Sequence, residues 1–543
     1  MPETIIPIRS APGIKRDGTR LEGDAYVDGQ WCRFQRGLPR KMWGYRAINK
    51  YLQEISRALH EYTQDRLTYV HSGSANLIER FYIDSSNNTS IITDRTPLSG
   101  FTEDDQNVWM FDTDDLVTGG VATNLLIAQV APNLDCICNS VGGELFSGDL
   151  LGTAPLTPIT LPTGGNASGG IVSLHPYTFF YGNDGYIGWS VPSDPTDLAG
   201  SGSGALNAAS QKIVKGMPLR GGPGNSPSGL FWAADALVRA SFVGGTPVFQ
   251  FDTISTQTSI MSPRSVIEYD GIFYWLGRDR FLMFNGVVRE IPNELNMNDF
   301  FDNINYEYAQ KIFAIKVPRF GEIWWCYPRG SSTEPDHAVI FNVRENIWYD
   351  TALPNGGRSA GIFPTVFRKP LMTGVNGTVH PTDHRVTEAG DRRITEDDDA
   401  RVTQESLEVT YRLWIHEQGL DEIDGQSIQP IQSYFETADI SLPVQKGDNR
   451  ALQVLMVEPD FVQSGDLTMQ VRGRNNARSA EVNGDVLTFV ADPGSVDPRQ
   501  EVVYVKTQRR ELRFRFESNT IGGDYQMGSP LAHVQPGDGR TVS

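Results

Sequence analysis

Cysteine is scarce: Cys32, Cys136, Cys138 and Cys326 are the only four in a chain of 543 residues. So few cannot build the disulfide framework of a small secreted scaffold. Cys136 and Cys138 stand two apart in a strand-like run, on one face and too close to bridge comfortably, and no CxxC accompanies them to complete a zinc site. Buried free thiols made in a reducing cytoplasm are the reading. Histidine is also sparse, with eight residues and no HExxH or HxH pair. His380 and His384 share an i, i+4 spacing, but they lie in a segment containing Pro and Gly, which rules out ligation from one helix face. No apolar run is long enough to cross a bilayer. The opening MPETIIPIRSAPG lacks the apolar centre of a signal peptide, so the chain reads as a soluble protein made inside a cell. Positive charge is short too: 47 Lys and Arg face 66 Asp and Glu, a net charge of −19. A protein that grips nucleic acid normally needs a basic surface, so the bulk balance argues against an ordinary nucleic-acid binder. It does not exclude a surface past which DNA slides, because like charge repels phosphate.

What the chain has instead is turn chemistry and aromatics. Gly reaches 54 and Pro 32, with aromatics at 10%, a mixture that fits many short strands joined by tight turns. The clearest stretch runs from Ser265 to Asp350. Ile272–Trp275 and Glu322–Trp325 are aromatic strands. Each is followed by a turn and a second apolar strand, Phe281–Phe284 or Ala338–Phe341, and Ile347–Tyr349 adds a third to the second set. Such runs bounded by Gly, Asn and Asp are hairpins, because Gly and Asn tolerate the positive φ of tight turns. Anchors at Leu67, Leu125, Phe179, Phe231, Phe273 and Ile323 recur at gaps of 42 to 58 residues, near the length of a four-stranded propeller blade. The expected fold is mainly β, a β-propeller of about six blades over 47–372. One sizeable helix is expected near Met297–Ala309, with Phe300, Phe301 and Ile304 on one face. The Gly-, Ser-, Ala- and Pro-rich stretch Thr196–Gly229 reads as a long loop on a propeller face.

Three other regions flank or interrupt the propeller. Residues 1–46 are irregular and locally basic. Gln30–Arg46 carries Arg33, Arg36, Arg40 and Lys41, either as solvated charges on an opening strand or as a docking surface for an acidic or protein partner. Residues 373–410 hold three copies of a basic-apolar-Thr-acidic/amide unit, beginning at Arg385, Arg393 and Arg401, eight residues apart. Strict repetition suggests short stacked strands, yet one chain has too little apolar area there to order them alone. Neighbouring copies would order the segment, or it stays a flexible charged linker. From 411 to 543 the alternation of Leu512, Phe514 and Phe516 with charged residues marks half-buried strands, as do Leu467, Met469 and Val471, and Leu487 and Phe489. These fit a β-sandwich.

No catalytic, cofactor-binding or metal-binding residues are assigned. A glycine-rich phosphate loop and a GxSxG elbow are both missing. Acidic runs such as Asp112–Asp115 and Asp397–Asp399 lack the Gly and closing Glu of a calcium loop and read as solvated turns. A glycosidase would need two facing carboxylates. The Asp-containing turn repeat of sialidase-like propellers is absent, and the chain reads as a non-enzyme.

Taken in order, four stretches resemble the tail nozzle, or tail tubular B-type, proteins of short-tailed bacteriophages. They are RFQRGLPRKMWGY from Arg33; GIFYWLGRDRFLMFNG with EIWWCYP; the octads after Arg385; and Ile431–Ile440 with RELRFRFES and GGDYQMG. The resemblance implies a virion protein of the tail, assembled in the host cytoplasm. It would form a homohexameric ring below a portal-adaptor ring, with the β-sandwich and 1–46 as a platform and the propeller distal. Fibres, spikes or a needle, the host envelope, and genomic DNA passing non-specifically through the channel would be its partners. Arg33, Arg36, Arg40, Lys41, Arg385, Arg393 and Arg401 are the candidate partner contacts. The alternative is a tail-tip propeller that binds a receptor or glycan, or hydrolyses a polysaccharide.

Overall fold

In a computed structural model, residues 3–19, 22–64, 67–84, 89, 92–99, 108–131, 143–219, 227–245, 247–364, 368–381, 407–440, 451–476, 478–491 and 502–537 are described. From Ala58 the chain lays down six four-stranded antiparallel sheets, each with its strands paired in chain order. Their first strands are Ala58–Gln64, Val108–Thr118, Gly170–Leu174, Ile213–Pro218, Ile267–Tyr269 and Phe313–Val317. These are the contiguous blades that the aromatic spacing anticipates. Large rings lock them together: Trp232 of blade four meets Trp275 of blade five edge to face at 5.7 Å. Buried indole N–H groups need acceptors. Trp109 donates to the Ser74 carbonyl at 2.8 Å and Trp325 to the Ser265 carbonyl at 2.9 Å, each reaching back to the preceding blade.

A seventh blade closes the ring, and it is not contiguous. Arg358–Ile362, Leu371–Pro381 and Leu407–His416 form three strands, Tyr45–Leu52 from near the N-terminus adds the fourth, with Trp414 opposite Ala47 and His416 opposite Tyr45, and the short Glu422–Asp424 and Ser427–Gln429 extend the same sheet beyond it. Its first strand packs against those of blades six and one. Periodicity along the chain misses this blade because one of its strands lies some three hundred residues upstream of the others. Ile48, Leu52, Leu413 and Ile415 share a buried cluster with Val70, Phe81 and Ile83 of blade one.

Several expected boundaries move. The propeller begins at Tyr45 and runs to His416, so a boundary at 411 would cut a blade strand. Thr373–Pro381 and Leu407–Thr410, expected inside an insertion, are blade strands; the octads lie outside the described residues. Thr196–Gly229 is not one loop. Gly204–Asn207 is the outer strand of blade three and Ile213–Pro218 the inner strand of blade four. Its small residues serve packing: a Cβ on Gly204 would stand 2.5 Å from the Trp189 ring. The helix is shorter than expected. Met297–Asn303 is helical, Ile304 is extended, and a 3-10 turn restarts at Tyr306 where the Asn305 side chain accepts from Glu307 N–H. Phe300 and Ile304 are buried.

The remainder is the sandwich platform. A five-stranded sheet orders Asp28–Gln30, Ser433–Glu436, Glu511–Ser518, Leu467–Arg474 and Val482–Phe489. A four-stranded sheet orders Thr4–Pro7, Leu531–Pro536, Leu452–Glu458 and Val503–Arg509. Leu512, Phe514, Phe516, Leu467, Met469 and Val471 of the first share one core with Leu452, Val454, Val457 and Val534 of the second. A third sheet pairs Phe461–Ser464, Asp524–Met527, Leu38–Lys41 and Cys32–Gln35. The far face of Glu511–Ser518 is covered rather than wet: Arg513 is buried between Glu436 (2.8 Å), Asp439 (3.0 Å) and Glu481 (3.3 Å). The platform docks sideways, its N-terminal strands contacting Ile347–Ala352, the outer strand of blade six.

Candidate functional site

Every blade presents its first strand to the axis, so the residue types along seven short segments decide what the axis contains. Leu59, Phe111, Val172, Lys215, Val266, Ala314 and Ala360, one from each blade or its approach, line a single cavity of about 330 Å³. Period-two alternation explains the mixture. Residues pointing between blades are large and apolar, while those that also meet the axis can be polar.

Four polar groups reach this cavity: His60, Asp112, Lys215 and Arg264. Asp112 accepts the Ser173 N–H of blade three and the Thr113 N–H, each at 2.8 Å. Burial still pushes its carboxyl up to about 6, against the pull of those N–H groups and Lys215. Lys215 is half-buried, and among the described residues its ammonium has no hydrogen-bond partner. Burial lowers its pKa, with Asp112 opposing. Arg264 stitches blades together at one end, donating to the Lys311 carbonyl at 2.9 Å, the Ser359 carbonyl at 3.2 Å and the Arg57 carbonyl. Burial, then Arg57, lowers it to about 9. Arg57 and Lys311 in turn grip Glu334 at 2.6 and 2.7 Å. Burial holds His60 down at about 4, and it stands across the strand pair from His71, likewise shifted well below its ordinary value by burial.

Among the described residues no three His, Cys, Asp or Glu converge to hold a metal. Asp112 is the one carboxylate lining this cavity, whereas glycoside hydrolysis works with a facing pair.

The candidate contacts read from the sequence lie elsewhere and do not form one surface. Arg33 and Lys41 are fully buried, so neither can meet a partner. Arg33 is the keystone of the propeller–platform junction: it pairs with Glu322 of blade six at 2.9 Å and donates to Glu417 at 2.8 Å, with its guanidinium 3.7 Å from the Phe320 ring centroid. Burial opposes its charge, but the two carboxylates raise its pKa further. Burial lowers Lys41 to about 8, with Asp421 and Asp524 partly offsetting. Arg36 is exposed, its backbone N–H held by Glu345 at 2.7 Å, and Arg40 is half-buried on Gln35 at 2.8 Å. Arg385, Arg393 and Arg401 lie outside the described residues. Cys32 and Cys326 are buried free thiols; Cys136 and Cys138 lie outside the described residues. Sequence reasoning missed the axial group because Lys215 lies in the Gly- and Ser-rich stretch. The available signal was one charge interrupting the apolar run Ile213–Met217.

No family model matches the sequence, and no curated protein matches it. Among solved structures, the chain is similar to the WD40 β-propeller domain of Doa1, at 12% identity and a TM-score of 0.38, covering 68% of this chain and 97% of that one. It is also similar to U3-55K, at 7% identity and 0.35, covering 69% and 98%. The WD40 repeats of RRP9 follow at 6% identity and 0.36, covering 69% and 99%.

Proposed function

We propose that this chain is a structural subunit of a phage tail, one of six copies in a ring-shaped nozzle that retains packaged DNA and conducts it at ejection. The observation that carries the reading is the junction around Arg33. A conduit wall must transmit force without hinging, and here propeller and platform are joined through shared aromatic core and buried ion pairs. Trp31 meets Trp324 at 6.1 Å, Phe34 meets Tyr349 at 5.5 Å, and Arg16 bridges Asp28 and Asp350 at 2.6 and 3.1 Å. The acidity supports it too, since attractive contacts with phosphate would slow a passing genome. The portal-adaptor ring above and fibres, spikes or needle alongside are the partners this reading requires. Imaging of assembled particles with the chain tagged tests it. Six copies around the tail axis are expected, and a single copy at a tip or absence from the particle overturns it.

The axial cavity favours a second reading, a tail-tip propeller that binds a receptor or glycan. Binding of the isolated chain to host surface polysaccharide, without turnover, would select it.

A further inference from the structure

The chain carries nineteen excess negative charges, yet the charges around its axis sum the other way. The connected group lining or abutting the cavity holds the cations Lys215, Arg264, Arg57 and Lys311 and the carboxylates Asp112 and Glu334. Arg264 donates through its two terminal nitrogens to backbone carbonyls, leaving its Nε without a partner, and Asp112 spends an acceptor site on each oxygen on backbone N–H groups. Lys215 is the cation there whose charged head makes no hydrogen bond at all among the described residues. Burial strips this ammonium of part of its water, and a bound anion offsets that loss with a charge-assisted hydrogen bond. The rest of the wall is apolar: Leu59, Phe111, Val172, Met217, Val266 and Phe313. The volume falls in the range of small-ligand sites.

We propose that the axial cavity binds a small organic anion, a carboxylate with an apolar body, with its head on Lys215 and its tail against the ring of aliphatic and aromatic side chains. The site is independent of the nozzle reading, because it lies within one propeller and needs no neighbouring copy. An inorganic anion could satisfy the ammonium but not the apolar wall, and an apolar cation would meet the wrong field.

Calorimetric titration of the full chain with hexanoate, acetate, phosphate and hexylamine tests this. Hexanoate is expected to saturate, binding at least about tenfold more tightly than acetate because its added methylenes leave water. Lys215→Met should weaken hexanoate at least about tenfold while Lys215→Arg retains it. Ala314→Leu, which fills the cavity and leaves every charge in place, should weaken it comparably. Circular dichroism of each variant separates lost binding from lost fold, and the cavity-filling variant keeps the test decisive if Lys215→Met does not fold. No saturation by about 10 mM, equal binding by hexylamine, tighter binding by phosphate, or unchanged affinity in a folded Lys215→Met or Ala314→Leu protein would overturn the proposal.

Discussion

His60 is shifted from an ordinary value of 6.5 to about 4 by burial, so in the folded chain it stays neutral where an unfolded chain would protonate it. The stability it contributes is therefore complete above pH 6.5 and is lost as pH falls from 6.5 through about 4. Full burial would make this about 3 kcal/mol, but one side of the ring opens on the axial cavity, so about 2 kcal/mol is the fair expectation. His60→Gln should flatten the fall of the unfolding free energy from urea titrations across that window by this amount. His71 and His416 are shifted the same way by burial and keep the remaining slope. At the junction, Arg33→Met strands Glu322 and Glu417 as buried carboxylates without their cation. A loss of about 3–5 kcal/mol is expected from denaturant melts. Adding Glu322→Gln to Arg33→Met should restore part of that loss.

At the scale of elements, the closing blade depends on one remote strand. Ile48→Asp places a charge in the cluster with Leu52, Leu413 and Ile415, so hydrogen exchange should rise together in Tyr45–Leu52 and Leu407–His416 while blades three and four stay protected. Close approach matters between blades one and two, where a Cβ on Gly73 would lie 2.5 Å from the Trp109 ring. Gly73→Ala should cost about 1–3 kcal/mol, read as a lower melting temperature. These elements also show what the sequence makes legible. Aromatic hairpins such as Ile272–Phe284 announce themselves because pattern, turn and partner lie within a dozen residues. The alternation through Leu512, Phe514 and Phe516 is equally local. The seventh blade, the burial of Arg33 and the axial grouping of Asp112 with Lys215 are products of long-range pairing. A strongly basic segment such as Arg33–Arg46 looks the same whether its charges face water or buried carboxylates 289 and 384 residues away.

For the whole molecule, the nozzle reading gives a deletion with a defined reach. Removing 373–405 would take strand residues from the closing blade, and Pro381 and Leu407 are cross-strand partners, so the informative variant replaces 382–406 by a two-residue Asn-Gly turn. Such a protein should fold with an unchanged melting temperature and fail in tail completion or DNA retention. Infectious, full particles would count against a role for the octads.

The lateral docking and the borrowed fourth strand have a mechanical consequence. Thr4–Pro7 pairs with Leu531–Pro536, while Tyr45–Leu52 pairs with Leu407–His416, so two early strands are each clasped to a strand far downstream. Neither clasp can fasten until the six contiguous blades between its strands have left the ribosome. Once both are fastened, tension applied at the termini loads paired strands before any inner blade, much as a buckle shields the belt behind it.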